Sequence, residues 1–200
     1  MPIDINTNAA RFSSLYLGCA AGRPGAEEFL EWLGGTDFFT APASTRFHLS
    51  EPGGLCQHSL NVYSRMIQLV RAVCPDDAAN MERTAGIVSL LHDVCKAGFY
   101  GTEMRNKKDE SGKWIQVPFY TVDDKFPYGH GEKSVFLIER FMRLTTEEAV
   151  AIRWHMGGFD EAVRGGSYSV GAAYDKYPLA LLLHMADMMA SHFDEAKEDK

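Results

Sequence analysis

SLLHDVCK, residues 89–96, closes an apolar run on a histidine and an aspartate, and what these two do decides how the rest of the chain is read. Upstream, Asp76 and Asp77 offer a helix cap, and Met81, Ala85 and Val88 lead to His92 at helical spacing. A helix is therefore expected from about 78 to 95, with His92 on its apolar face. A histidine so placed is either a hydrogen-bonded core residue or a ligand. The choice depends on whether metal-type residues occupy similar positions elsewhere.

They do. GLCQHSL, residues 54–60, follows a Pro-Gly-Gly turn and starts a helix expected over about 55–73. Its stripe of Leu55, Val62, Met66, Leu69 and Val73 takes in His58. His130 stands in the GHGE turn before a helix at about 131–143. His155 ends a helix at about 146–156, whose start, Thr145-Thr146-Glu147-Glu148, is a capping-box pattern. Asp187 lies inside LLLHMADMMA on a final helix of about 178–196. A carboxylate in so apolar a run costs roughly several kcal/mol unless a cation or donors offset it. A metal would do so, and so would an arginine. Imidazole and carboxylate together suit iron, manganese, zinc or nickel, whereas magnesium and calcium prefer oxygen alone.

The remainder of the chain is ordinary. Its 200 residues are 46% hydrophobic and 24% charged, which fits one domain, 1–200, with a core of about 46–196. A net charge of -7 argues against a partner that presents duplex nucleic-acid backbone. MPIDINTNAARF has no signal-peptide pattern and no apolar run reaches membrane-spanning length, so a cytoplasmic protein with no membrane partner is expected. Cys19, Cys56, Cys74 and Cys95 show no CxxC spacing and are read as reduced thiols; Cys56 and Cys95, beside the histidines, are taken to pack rather than ligate. A short helix is expected at about 25–34. Residues 98–128 interrupt the helices with two strands around Asp-Glu-Ser-Gly, and GGFDEAVRGGSYSVGA reads as a loop. The fold class expected is all-α, a helical bundle with one inserted β-hairpin.

The series His58, His92-Asp93, Asp187 resembles the H…HD…D signature of the HD-domain metal-dependent phosphohydrolases. His130 and His155 resemble the additional ligands of that superfamily's two-metal branches, such as the HD-GYP cyclic-dinucleotide phosphodiesterases and the diadenosine-tetraphosphate hydrolases. GGLCQHSLNVY and LLHDVCKAG also resemble the HD portion of a group of bacterial 3′-to-5′ exoribonucleases. The resemblance covers roughly residues 46–190 and implies a bundle of at least five helices with ligands on its inner faces. The hairpin departs from the minimal core, and residues 1–45 match no accessory domain of the family.

The resemblance implies two divalent transition metal ions, iron or manganese first, with zinc, nickel or cobalt also suited. His58, His92 and Asp187 would bind one ion, His130 and His155 the other, and Asp93 would bridge them. Water activated between ions about 3.5–4 Å apart would attack phosphorus. Asp93 and Lys96 are the expected catalytic residues. Lys96, with Arg46 and His48 in STRFHLS, is expected to bind substrate, a small phosphorylated molecule such as a nucleotide, dinucleotide or short oligonucleotide. Lys133 reads as a solvated lysine or an anion-binding one. Arg105, Lys107 and Lys108 on the hairpin read as a solvated strand or a collector of a polyphosphate tail. His184 reads as an ordinary helix residue or a support beside Asp187. The competing reading is an HD-type di-iron oxygenase acting on a small polar substrate, which uses the same ligand types. A third is a regulatory HD module without catalysis, although every ligand position is filled.

Overall fold

A computed structural model describes residues 2–196; Met1 and residues 197–200 of the expected domain lie outside the described residues. The chain is mostly helical with one two-stranded antiparallel sheet. The first helix, α1 (Ile5–Cys19), was not expected from its Asn- and Ser-containing sequence. Asp4 caps it by accepting from the Thr7 amide at 3.0 Å, and its buried face is Phe12, Tyr16 and Cys19. Packing rather than propensity accounts for it: Phe12 lies 5.2 Å from Phe38 and Tyr16 lies 5.7 Å from Phe29, ring centre to ring centre. Phe29 belongs to α2 (Ala26–Gly34), close to where the sequence places a helix.

The long helix α3 (Gly54–Val73) buries Leu55, Leu60, Val62, Met66 and Val70, while Val73, expected on the same stripe, is exposed at the helix end. It packs on α4 (Ala78–Leu91), and α1 packs on both. The helix expected to run to 95 stops at Leu91. His92 turns its ring back onto the Ser89 carbonyl, Asp93 leaves the helical conformation, and Val94–Lys96 form a separate 3-10 turn.

The hairpin pairs β1 (Tyr100–Lys108) with β2 (Trp114–Val122), Tyr100 opposite Val122 and Lys108 opposite Trp114. Asp109 closes its tip, accepting from the amides of Ser111 and Lys113. Two helices follow, α5 (His130–Glu139) and α6 (Thr146–Trp154). His130 is the first residue of α5, where a preceding turn was expected. At α6 the capping box between Thr145 and Glu148 forms, and buried Glu148 also accepts from both terminal guanidinium nitrogens of Arg23. A side chain at Gly131 would place its Cβ 2.3 Å from the Arg153 carbonyl oxygen. Glycine there lets the start of α5 abut the end of α6, which brings His130 beside His155.

The segment read as a loop holds two short helices, α7 (Glu161–Arg164), capped by Asp160, and α8 (Ser169–Lys176). Last comes α9 (Pro178–Met189), packed against α3 and α6. It does not run regularly to 196: Ala190–Asp194 widen into a π-helical turn, and the Glu195 amide donates to the Ala190 carbonyl at 3.0 Å. Such turns often mark functional sites. No helix among the described residues is long and apolar enough to cross a membrane.

Candidate metal centre

The ends of α4, α5 and α6 meet the first turns of α3 and the last turns of α9. Here His58, His92, Asp93, His130, His155 and Asp187 form one contiguous cluster. His58, Asp93, His130 and Asp187 reach the wall of a cavity of about 980 Å³; His92 and His155 lie behind them, fully buried.

Each buried imidazole has its outer nitrogen occupied. Nδ1 of His92 donates to the Ser89 carbonyl at 2.8 Å, and Nδ1 of His155 donates to the Ile152 carbonyl at 2.7 Å. Nδ1 of His58 lies 3.1 Å from both carboxylate oxygens of Glu195, one of which, Oε1, also accepts from Asn61 at 2.9 Å. The proton positions follow: His92 and His155 carry theirs on Nδ1, so each Nε2 is a bare lone pair pointing inward. That of His155 is buried without a hydrogen-bond partner. Fixing the tautomer from outside the ring is the arrangement that metal-binding imidazoles need.

The carboxylates complete the geometry. Oδ2 of Asp93 faces His92 Nε2 at 3.5 Å and His58 Nε2 at 3.6 Å, while its Oδ1 faces His130 at 2.7 Å and His155 at 3.6 Å. Asp187 lies 3.3 Å from His58, whose Nε2 is 3.2 Å from that of His92. Among the described residues, four trios bring ligand atoms within 4.8 Å of one another: His48, His58 and Glu195; His58, His92 and Asp187; His92, Asp93 and His155; Asp93, Cys95 and His130. These buried groups can hold metal ions, and the cluster is compatible with an HD-like site.

Burial disfavours a charged His58, yet Glu195 and Asp187 on either side lift its pKa to about 10. Burial also opposes charge on His130, but Cys95 and Asp93 raise it to about 10. His92, by contrast, is driven down to about 4, mainly by burial. Asp93 and Asp187 are held well below the usual carboxylate range despite burial, the first chiefly by Lys96 and His92, the second by His58. The pattern is that of a site built around positive charge.

Lys96 pairs with Asp93 Oδ2 at 2.7 Å and donates to the Ala43 carbonyl at 2.9 Å, which Tyr100 also reaches. Of the three donors of an ammonium, one is left for the cavity. Lys96 stands three residues after Asp93, on the 3-10 turn, rather than a helical turn after His92. Arg46 and His48 both line the cavity; the His48 ring lies 5.0 Å from His58, and burial with its cationic neighbours lowers its pKa to about 4. His184 also lines the cavity and donates to the His155 carbonyl at 2.7 Å, which supports that backbone.

One expectation needs correction. Lys133 is buried and paired with Asp124 at 2.5 Å, so it is neither solvated nor free for an anion. The cluster Arg105, Lys107 and Lys108 is solvated and does not line the cavity, which meets the hairpin only at Tyr100 and Val122. At about 3.4 Å per residue, those cations lie roughly 17–27 Å out along the ribbon. Conversely, Glu195 and Arg164 were not singled out from the sequence. Arg164 lines the cavity from α7, and its signal was hidden inside a glycine-rich stretch. Compared with protein-family models, curated proteins and solved structures, the chain matches none.

Proposed function

We propose that this chain is a metal-dependent phosphohydrolase of HD type, cleaving a phosphoester of a nucleotide, dinucleotide or short oligonucleotide. The observation that carries the proposal is the inward convergence of buried imidazoles, with outer nitrogens fixed, on the two carboxylates Asp93 and Asp187 at the base of a cavity. His58, His92 and Asp187 would hold one ion and His130 and His155 a second. The division of the Asp93 oxygens, Oδ2 toward the first group and Oδ1 toward the second, supports Asp93 as the bridge.

Ions so held would supply hydroxide near neutral pH and draw charge from phosphoryl oxygens. The chain's own residues supply the rest. Lys96 holds Asp93 in place and keeps one donor for substrate oxygen. Arg46 and Arg164 are the cavity's other permanent cations among the described residues, suited to phosphate. Phe47 and Phe159, both more than half exposed, offer ring faces at its wall for a flat base. The cavity volume accommodates a nucleotide.

The test is a panel of phosphomonoesters and phosphodiesters offered to metal-loaded protein under argon, with manganese or ferrous iron. Turnover without oxygen is the expected result. Turnover of a polar substrate only with oxygen would replace this reading by the oxygenase. Bound metal with no hydrolysis across the panel would favour a regulatory module.

A further inference from the structure

We propose that Cys95 is a metal ligand, giving the ion at Asp93 and His130 a sulfur donor and selecting zinc or ferrous iron there over manganese. The inference rests on the metal site proposed above and adds a residue to it. Buried thiols usually pack as small apolar groups, and the sequence suggests no more for this one. Its surroundings are different. Cys95 Sγ lies 3.5 Å from His130 Nδ1 and 3.7 Å from His130 Nε2, and that Nε2 lies 2.7 Å from Asp93 Oδ1. The three ligand atoms share one small volume.

The distances fit coordination. A tetrahedral zinc with sulfur at about 2.3 Å and nitrogen at about 2.0–2.1 Å separates the two donors by about 3.6 Å. Sulfur and nitrogen are already at that spacing, and the His130–Asp93 contact, now a hydrogen bond, must open. A second observation points to the same place. Nε2 of His155 is buried with no hydrogen-bond partner and lies 3.6 Å from Asp93 Oδ1. Together these residues offer a carboxylate, two imidazoles and a thiolate. As the metal–sulfur bond forms, the thiol proton leaves to solvent. Thiolate is a soft donor, so manganese, which prefers oxygen, would be disfavoured relative to zinc and ferrous iron.

Cobalt(II) reads both the sulfur ligand and the metal site on which it rests. The full-length protein, stripped of metal with a chelator, is titrated with cobalt while visible ligand-field bands and near-ultraviolet sulfur-to-cobalt charge transfer are recorded. The wild type is expected to show both. Cys95→Ser and Cys95→Ala should lose the near-ultraviolet band yet keep visible bands from the histidine–aspartate ligands, and Cys56→Ala should keep both. Visible bands without charge transfer in the wild type would overturn the sulfur ligand and leave the metal site standing, with the thiol only hydrogen-bonded to His130. Survival of the charge-transfer band in Cys95→Ser would do the same. Absence of any cobalt binding would remove the metal reading and this inference together. The wild-type spectrum decides even if one variant fails to fold.

Discussion

Glu195→Gln is the most searching change, because it alters no expected ligand. Glu195 lies 137 residues along the chain from His58 and receives its Nδ1 proton with both oxygens 3.1 Å away. Glutamine keeps the volume and one acceptor but removes the charge that holds the ring, and its amide group meets the Asn61 amide. Loss of such an outer partner costs about 10–100-fold in metal affinity, or about 1.4–2.8 kcal/mol at 1.4 kcal/mol per decade. Alanine should fall at the upper end, since it leaves His58 and Asn61 without an acceptor, at about 1–3 kcal/mol for each unsatisfied group. Competition of zinc or manganese against a chromophoric chelator measures the affinity. Urea unfolding in chelator separates it from plain destabilisation. A glutamine variant that is folded and binds metal as tightly as wild type would refute the claim that Glu195 sets the His58 ring.

Replacing Asp93 with alanine should strip the metal and abolish hydrolysis; wild-type metal content by elemental analysis would defeat the bridging role. His130→Ala or His155→Ala should lower the bound metal from about two ions toward one, and an unchanged ratio would point to a one-metal site. The metal-free chain should have a bell-shaped dependence of stability on pH. Glu195 and Asp187 overcome burial to lift His58 from 6.5 to about 10, so its contribution is complete below about 6.5 and is lost as pH rises toward 10. Burial lowers His92 from 6.5 to about 4, so its contribution is complete above about 6.5 and is lost as pH falls toward 4. Urea midpoints measured in chelator from pH 4 to 10 check this, and a monotonic curve contradicts it. Metal binding at pH 8 should release about three protons, from His58, His130 and the Cys95 thiol, visible as a dependence of binding heat on buffer ionisation enthalpy.

What the sequence revealed follows physical lines. His58 and His92 are visible because they interrupt apolar stripes with helical spacing, a pattern that points a side chain inward without further information. Asp187 is visible by cost, as a charge among leucines and methionines. The hairpin is visible because its strands flank a turn written in local chemistry, Asp109 to Gly112. The first helix was not, since Asn6, Thr7, Asn8 and Ser13 are poor helix formers and its stability comes from burying Phe12 and Tyr16 against distant rings. Lys133 was misread for the same reason. Its partner Asp124 and the rings of Phe99 and Phe126 beneath it come from other elements.

The same distinction explains why Glu195 escaped notice. His92 and His155 each occupy the C-terminal cap of a helix, and each ring donates to the carbonyl three residues earlier. A helix end leaves its last carbonyls without amide partners, so the orienting group is supplied within one turn of chain. The two histidines are thus repeats of one local device, at the ends of α4 and α6. His58 sits in the second turn of α3, where the carbonyls of the preceding turn are taken by helical amides. No local acceptor is available, and burial forbids water. An acceptor must therefore come from another element, and the widened π-helical turn after α9 carries Glu195 to that point. Regular helix through Ala190–Asp194 would rotate residue 195 by about 100° per position onto a different face. The irregularity at the end of α9 and the position of His58 on α3 are therefore two halves of one requirement, namely that each fully buried imidazole has its ring fixed from behind.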